Sequence, residues 1–353
     1  MRSEWNGIGL MSGTSLDGID LAWCRFSRKM SEWQYTIVKA TTVPYPDEMR
    51  MRLATATEMS AFEYARLNND LGELFADSIN NWLGGGERPD FIASHGHTIF
   101  HQPNIGLTTQ IGNGAVIAAK TKLPVVCDFR TKDVALHGQG APLVPIGDET
   151  LFAQFDACLN LGGFANISFR NDDQRVAFDV SPCNMALNYL ANKLNLPFDK
   201  NGQLARKGTV DQELLQKLNN IQFYSQNPPK SLGKEWFETI FRPLLDDSSK
   251  KNSTEDLIRT VLEHICTQIV NIIPEKCISM LTTGGGAKNR FLIKRMQEMA
   301  VNTRIVVPDE LVIDYKEAII FAFLGLLRIE KHNNTLRSVT GADEDSCGGC
   351  IYL

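Results

Sequence analysis

The sequence predicts an α/β protein made of two domains of related plan facing across a cleft. Three observations predict it. The chain has 353 residues, enough for two domains of ordinary size. Short apolar runs that read as strands alternate with longer stretches whose apolar residues recur at helical spacing. Each half of the chain also carries its own glycine-turn hairpin followed by strands and helices.

Taken in order, Gly7 to Leu10 and Ile19 to Trp23 are strand-like stretches that frame a polar loop, MSGTSLDG, from Met11 to Gly18. Leu67, Leu71, Leu74, Phe75, Ile79 and Leu83 share one face of a helix over 62–83. Phe91 to Ala93 is a short buried strand ending at the polar turn Ser94-His95-Gly96-His97-Thr98. A helix from Gly114 to Lys120 follows, then a strand from Pro124 to Cys127 that closes on Asp128-Phe129-Arg130. Gly112-Asn113-Gly114 begins like a dinucleotide-binding fingerprint. Ile117 stands where the third glycine belongs, so the segment reads as a helix start.

The second half restarts with Cys158 to Ile167 as strand, glycine turn and strand. Asn171-Asp172-Asp173 turns the chain into Val176-Ala177-Phe178 and Asp179. Helical spacing returns over 185–194 and strongly from Leu257 to Ile272, where Ser253 and Asp256 make a capping pair. Cys277 to Thr283 is a strand running into Gly284-Gly285-Gly286 and an apparent helix. Thr303 to Val307 is one more strand, and Tyr315 to Ile329 a largely apolar helix. Residues 225–235 are the most loop-like insertion.

Composition narrows the function classes. Hydrophobic residues at 43% and charged residues at 22% describe an ordinary soluble globular chain. A net charge of -5 lacks the basic footprint of a nucleic-acid binder, yet leaves room for a local anion site. The first residues lack the apolar core of a signal peptide and no run approaches a membrane span, which points to the cytoplasm. The eight cysteines then read as reduced thiols. Cys347-Gly-Gly-Cys350 has neither a helix to open nor two further zinc ligands, and reads as glycine-rich terminal packing.

No GxxxxGK[ST] occurs, so a P-loop is excluded. Three glycine loops, 12–18, 162–166 and 284–289, form another kind of site. A tight turn exposes consecutive backbone N–H groups that wrap phosphate oxygens. The first loop offers Gly13, Thr14, Ser15, Leu16, Asp17 and Gly18, with two hydroxyl donors. Asp17 and Asp20 suit Mg²⁺, directly or through water, because hard cations prefer carboxylate oxygens. The second offers Gly162, Gly163 and Asn166; the third offers Gly284, Gly285, Gly286 and Asn289. Any one of them alone is better read as a plain hairpin turn. Together they point to a nucleotide cleft.

The blocks GLMSGTSLDGID, ASHGHTIFHQP, LTTQIGNGAVIA, VVCDFRTKDVALHGQGAPLVP, LNLGGFANIS, PPKSLGKE, LTTGGGAKN and VTGADED resemble the anhydro-N-acetylmuramic acid kinases of bacteria, in order and over essentially the whole chain. The resemblance implies the actin/sugar kinase/Hsp70 type of fold, with two related α/β domains around a central nucleotide cleft. It implies domains at 1–132, joined by 337–353, and at 133–336. It implies that ATP and water open 1,6-anhydro-N-acetylmuramic acid and phosphorylate O6, in cell-wall recycling. The partners implied are the sugar and ATP with Mg²⁺, with neither nucleic acid nor membrane, and a homodimer is compatible. The 12–17 and 162–166 loops then correspond to the two phosphate-binding hairpins, and 284–289 to the adenosine-side loop.

Residue by residue, Asp179 matches the family's catalytic aspartate; a helix N-cap before 185–194 is its bland alternative. Arg130 and Glu317 match substrate-contacting positions, although Arg130 can instead pair with Asp133 and Glu317 can complement the dipole of a helix it opens. A guanidinium suits the lactyl carboxylate of muramic acid. His95 and His97 flank Gly96 and suit sugar hydroxyls; a zinc reading with His101 lacks a nearby carboxylate or cysteine. Family members commonly have glutamine where His97 stands.

One segment departs from the family. Its usual phenylalanine, aspartate, threonine, glycine, proline, glycine, asparagine is here Phe178-Asp179-Val180-Ser181-Pro182-Cys183-Asn184. If those glycines need positive φ, side chains there cost on the order of 1 kcal/mol or more. This departure alone supports a competing class, a nucleotide-binding regulatory or chaperone-like relative without catalysis. A kinase for a related amino sugar is a third.

Overall fold

The computed structural model describes residues 3–13, 16–30 and 32–353, so Thr14 and Ser15 of the first glycine loop lie outside the described residues. The chain forms two compact α/β units. One comprises Met1–Leu151 and Tyr315–Leu353, the other Phe152–Asp314. These divisions, at 151/152 and 314/315, fall outside the expected 132/133 and 336/337. The reason is visible in the contacts. Asp133, buried in the helix Thr131–Ala135, accepts hydrogen bonds from the Gly140 N–H at 2.7 Å and the Thr340 hydroxyl at 2.7 Å. Lys316 and Asp148 form a buried ion pair at 2.6 Å. Both segments are thereby fastened into the first unit.

The first unit holds strands β1 (Glu4–Ser12), β2 (Ile19–Lys29), β3 (Glu32–Val43), β4 (Phe91–Gln102), β5 (Leu107–Ile111), β6 (Val125–Cys127) and, from the end of the chain, β12 (Cys350–Tyr352). The second holds β7 (Ala157–Leu161), β8 (Phe164–Asn171), β9 (Gln174–Pro182), β10 (Ser279–Thr283) and β11 (Arg304–Val306). The first sheet runs β12-β6-β4-β1-β2-β3, with β5 paired to β4; the second runs β11-β10-β7-β8-β9. In each, three consecutive antiparallel strands are followed by two parallel additions. The two units therefore share one plan, as the resemblance implies.

The helices form where apolar spacing meets a cap. Ala61–Leu83 starts at a capping box between Ser60 and Glu63 and buries the predicted Leu67, Leu71, Phe75 and Ile79. Thr254–Asn271 is capped by Ser253 and buries Leu257, Ile258, Val261, Leu262, Ile265 and Ile269 in the second core. Asn113 caps Gly114–Thr121, which settles that glycine pair as a helix start. Close packing in the first unit depends on Gly9 in β1: a Cβ there would lie 1.7 Å from the Ala318 carbonyl oxygen.

Two elements differ from expectation. The SHGHT segment is not a turn but the middle of β4, which continues to Gln102 because β5 pairs with its second half. Gly96, at φ +74°, takes the irregularity, and a Cβ there would meet the Ile111 carbonyl at 2.7 Å. The last long helix starts at Glu310, not Tyr315, with Asp309 accepting from the Val312 N–H at 2.9 Å. Glu317 thus sits about two turns inside that helix and does not open it. Among the described residues, no helix is long and apolar enough to cross a membrane.

Candidate active site

In the first unit the chemistry gathers where β1 ends beside the middle of β4. Ser12 Oγ lies 2.6 Å from Tyr45 Oη and 2.8 Å from His97 Nδ1, and all three are buried. Burial pulls the His97 imidazole down to about 4, so it is neutral at pH 7. Burial pushes the Tyr45 phenol up to about 12; the Ser12 bond opposes this and the Asp20 charge adds to it. We expect His97→Leu to cost about 0.5–1.5 kcal/mol of stability, the ordinary worth of one such bond. His97→Gln, which keeps a polar atom, should cost less. Denaturant unfolding at constant slope checks this; equal losses would mean that the Ser12 contact contributes nothing.

Two residues earlier, His95 takes a different part. Its Nδ1 lies 2.9 Å from the Gly96 carbonyl, an acceptor, so the proton sits on Nδ1. Nε2 is then the acceptor for Arg130, from Nε at 3.1 Å and Nη2 at 2.9 Å. Burial first, then the Arg130 charge, hold His95 well below its ordinary value, which keeps it neutral for this task. Both ring nitrogens are engaged within the protein, which leaves the expected contact of His95 with a sugar hydroxyl untested. Through Nε2 it holds Arg130.

Arg130 Nη1 also donates to the Gly140 carbonyl at 2.6 Å. That carbonyl is fixed in turn, because Asp133 holds the Gly140 N–H. Asp133 is therefore a support for the arginine's acceptor and not its ion-pair partner. Three of the five guanidinium N–H groups are used in these contacts. Burial lowers Arg130 to about 10, opposed by Glu317 and Asp133, so it remains a cation at neutral pH. Glu317 stands near it, open to solvent on one side. Desolvation by the surrounding protein raises the Glu317 carboxyl above the usual range; Arg130 and Lys316 oppose the rise and Asp20 adds to it.

The first glycine loop closes the β1–β2 hairpin. Leu16 lies in the left-handed region at φ +59°, with its N–H on the Gly13 carbonyl at 3.2 Å. Gly18 has no room for a side chain, since a Cβ would lie 2.6 Å from the Val43 carbonyl. Asp17 is exposed, and Asp20 accepts from the Thr42 hydroxyl at 2.6 Å. Among the described residues, no three His, Cys, Asp or Glu side chains are placed to hold a metal ion. His95, His97 and His101 make no such group, and Arg130 lies against His95.

In the second unit, β9 places Asp179 opposite Asn166 of β8, Asn166 lies opposite Asn160 of β7, and Asn160 opposite Thr283 of β10. Asp179 Oδ2 accepts from the Leu232 N–H at 2.8 Å, and the Asp179 N–H donates to the Lys230 carbonyl at 3.1 Å. Burial raises the Asp179 carboxyl above its ordinary value, with the Leu232 bond opposing. The helix Asn184–Asn192 begins after Cys183 with no side-chain cap, so Asp179 is a strand residue and not a cap.

The other two loops lie together in this unit. Asn184 donates through Nδ2 to the Leu161 carbonyl at 2.9 Å and through its backbone N–H to Gly162 at 3.1 Å. Cys183 and Met185 N–H groups both reach the Gly163 carbonyl. Gly284, at φ +80°, and Gly286 pack on Leu161 so tightly that a Cβ would come within 2.9 Å and 2.7 Å of it. Asn289 spends its side-chain oxygen capping the helix Arg290–Met299, on Phe291 and Leu292.

The altered 180–183 segment is accommodated without left-handed backbone: neither Ser181 nor Cys183 has a positive φ. Asp179 pairs with Asn166 and Ser181 with Ala165, which leaves Val180 as a bulge residue whose side chain enters the core. Cys183 is fully buried and its thiol is pushed up to about 12, which makes it an inert packed residue. The cost appears elsewhere. The Ser181 hydroxyl is buried with no hydrogen-bond partner among the described residues, a penalty of about 1–3 kcal/mol.

Sequence reasoning missed Tyr45, Gly140, Leu232 and Asn160. Leu232 lies in the quoted PPKSLGKE block, but nothing local says that its N–H meets Asp179. Asn160 and Asn166 stand symmetrically about the second glycine turn, which is a hairpin register signal.

The profile of the anhydro-N-acetylmuramic acid kinase family matches residues 6–353. The chain is 33% identical to the anhydro-N-acetylmuramic acid kinase of Sulfurimonas denitrificans over 98% of each chain. It is 35% identical to that of Gloeobacter violaceus over 95% of each, and 34% identical to that of Actinobacillus pleuropneumoniae over 98% of each. Among solved structures, the (R)-2-hydroxyglutaryl-CoA dehydratase component A of Acidaminococcus fermentans is similar at a TM-score of 0.43 and 13% identity, over 90% of this chain and 96% of that one. With the family profile spanning nearly every residue and relatives matched end to end, the chain belongs to the anhydro-N-acetylmuramic acid kinase family.

Proposed function

We propose that this protein uses ATP and water to convert 1,6-anhydro-N-acetylmuramic acid into N-acetylmuramic acid 6-phosphate and ADP, a step of cell-wall recycling. The observation that carries the reading is Asp179. A half-buried carboxylate with a raised pKa, held by a single backbone N–H, suits a general base at neutral pH. It takes a proton from water as the water attacks the anomeric carbon. The anhydro bridge opens, and the released O6 attacks the γ-phosphoryl group.

Arg130, held by neutral acceptors, suits the lactyl carboxylate, and Glu317 and His97 Nε2 suit sugar hydroxyls. The backbone of Gly13 to Gly18, with Thr14 and Ser15, and of Gly162 and Gly163 suits phosphate oxygens. Gly284 to Gly286 and the amide nitrogen of Asn289 suit the adenosine side. Asp17 and Asp20 would take Mg²⁺ through water, since they form no cage of their own and Mg²⁺ keeps several waters. The ion, when bound with ATP, neutralises charge on the β,γ-oxygens.

The same reading places the enzyme in the cytoplasm, in keeping with eight free cysteines. It is compatible with a homodimer, which light scattering would report. The test is coupled ADP release with the anhydro sugar or N-acetylglucosamine, each with Mg²⁺ and with excess chelator. Turnover is expected only with the anhydro sugar and Mg²⁺. Preference for N-acetylglucosamine overturns the substrate, and full rate in chelator overturns the metal.

A further inference from the structure

We propose that Cys127 and Cys350 form a redox pair that closes, under a hydroperoxide, into a cross-strand disulfide fastening the last strand to the first unit's sheet. Cys350 of β12 stands directly opposite Cys127 of β6 in an antiparallel ladder, followed by Ile351 opposite Val126 and Tyr352 opposite Val125. Directly opposed residues project from the same face, with Cα atoms roughly 4.5–5.5 Å apart. That lies within the roughly 4.4–6.8 Å a disulfide spans. Contacts on that face agree. Gly114 packs against both Cys127 Sγ and the Tyr352 ring, two residues along from Cys350.

The motif neighbour Cys347 is not the partner. Gly348 is fastened on both sides by the Asn334 side chain, its N–H to Oδ1 at 2.8 Å and its carbonyl to Nδ2 at 3.0 Å. Gly349 turns at φ +109°, and its carbonyl accepts from Arg328 at 2.7 Å. Beyond that anchored turn, Cys350 is committed to the ladder.

Exposure divides the labour. Cys350 is exposed and Cys127 only partly so. The Cys350 thiolate attacks the hydroperoxide: an S–O bond forms, the O–O bond breaks, and the departing oxygen takes a proton to leave as alcohol or water. Cys127 Sγ then attacks the Cys350 sulfenic acid, an S–S bond forms, and the hydroxide lost combines with the Cys127 proton as water. The two thiols give up two electrons and two protons, and the peroxide is reduced. Burial, the neighbouring Cys350 and Asp128 push the Cys127 thiol up to about 12, so the second step is the slow one and speeds as pH rises.

The experiment uses the full chain, treated with hydrogen peroxide, digested without reductant and mapped by mass spectrometry. One cross-linked species joining the Cys127 and Cys350 peptides is expected, more abundant at higher pH and abolished by dithiothreitol. Cys350→Ser and Cys127→Ser should each remove it, and the oxidised parent should melt higher than the reduced one. A Cys347–Cys350 bridge in the parent, or Cys350 oxidised while Cys127 stays a free thiol, overturns the pairing. A bridge that leaves the melting point unchanged overturns the fastening.

Discussion

Asp179→Asn is expected to give a folded protein that binds ATP and sugar and turns over about 10²–10⁴-fold more slowly, the range that general-base catalysis contributes. The substitution keeps shape, and the asparagine oxygen can still accept the Leu232 N–H that Asp179 holds at 2.8 Å. What it cannot do is take a proton. Ring opening and phosphoryl transfer should fall together, because O6 becomes a nucleophile only as the bridge opens. The pH profile adds a second readout. The base works ionised, so the parent's rate falls as pH drops through the Asp179 pKa. Burial raises that pKa, so the acid limb lies above that of an ordinary aspartate, and the mutant should lack it. Turnover within a few-fold of the parent would remove Asp179 from the mechanism, since no cap role remains to explain it.

Arg130→Ala is expected to weaken sugar binding on the order of 10–100-fold while changing ATP binding little, since a hydrogen bond to a charged group is worth about 1.5–3 kcal/mol. Arg130→Lys should fall between. An ammonium keeps the charge but cannot span His95 and Gly140 as the guanidinium fork does. Calorimetric titration with sugar and with a non-hydrolysable ATP analogue separates the cases. Equal losses for both ligands would make Arg130 a structural residue of its loop.

Much of this fold is legible because apolar periodicity follows burial. The helices Ala61–Leu83 and Thr254–Asn271 bury the residues their spacing marks, and each has its cap in the sequence. The middle of β4 is not legible, since Ser, His and Gly in succession carry a turn's local signature. The pairing with β5 that overrides it is made by residues further along the chain. The start at Glu310 was legible in principle, because Asp309 stands where an N-cap belongs. Asp179 and Arg130 stand out through resemblance, but their supports do not. His95 lies 35 residues from Arg130 and Leu232 lies 53 from Asp179, and single-sequence patterns carry nothing at that range. The neighbour of Cys350 is hidden for the same reason: it stands opposite Cys127, which lies far from it along the chain.

The interrupted first unit has a consequence for how the chain is made. Residues 152–314 form a contiguous stretch that can complete its core soon after leaving the ribosome. The first unit's meander β1-β2-β3 forms from neighbours, but β6 gains its outer partner only from residues 350–352. During synthesis, therefore, β6 stays an open sheet edge until residues 350–352 have been made. Open edges are templates for wrong pairing. The growing chain is thus open to wrong pairing at β6 until β12 arrives, and removal of residues 350–352 leaves that edge uncovered.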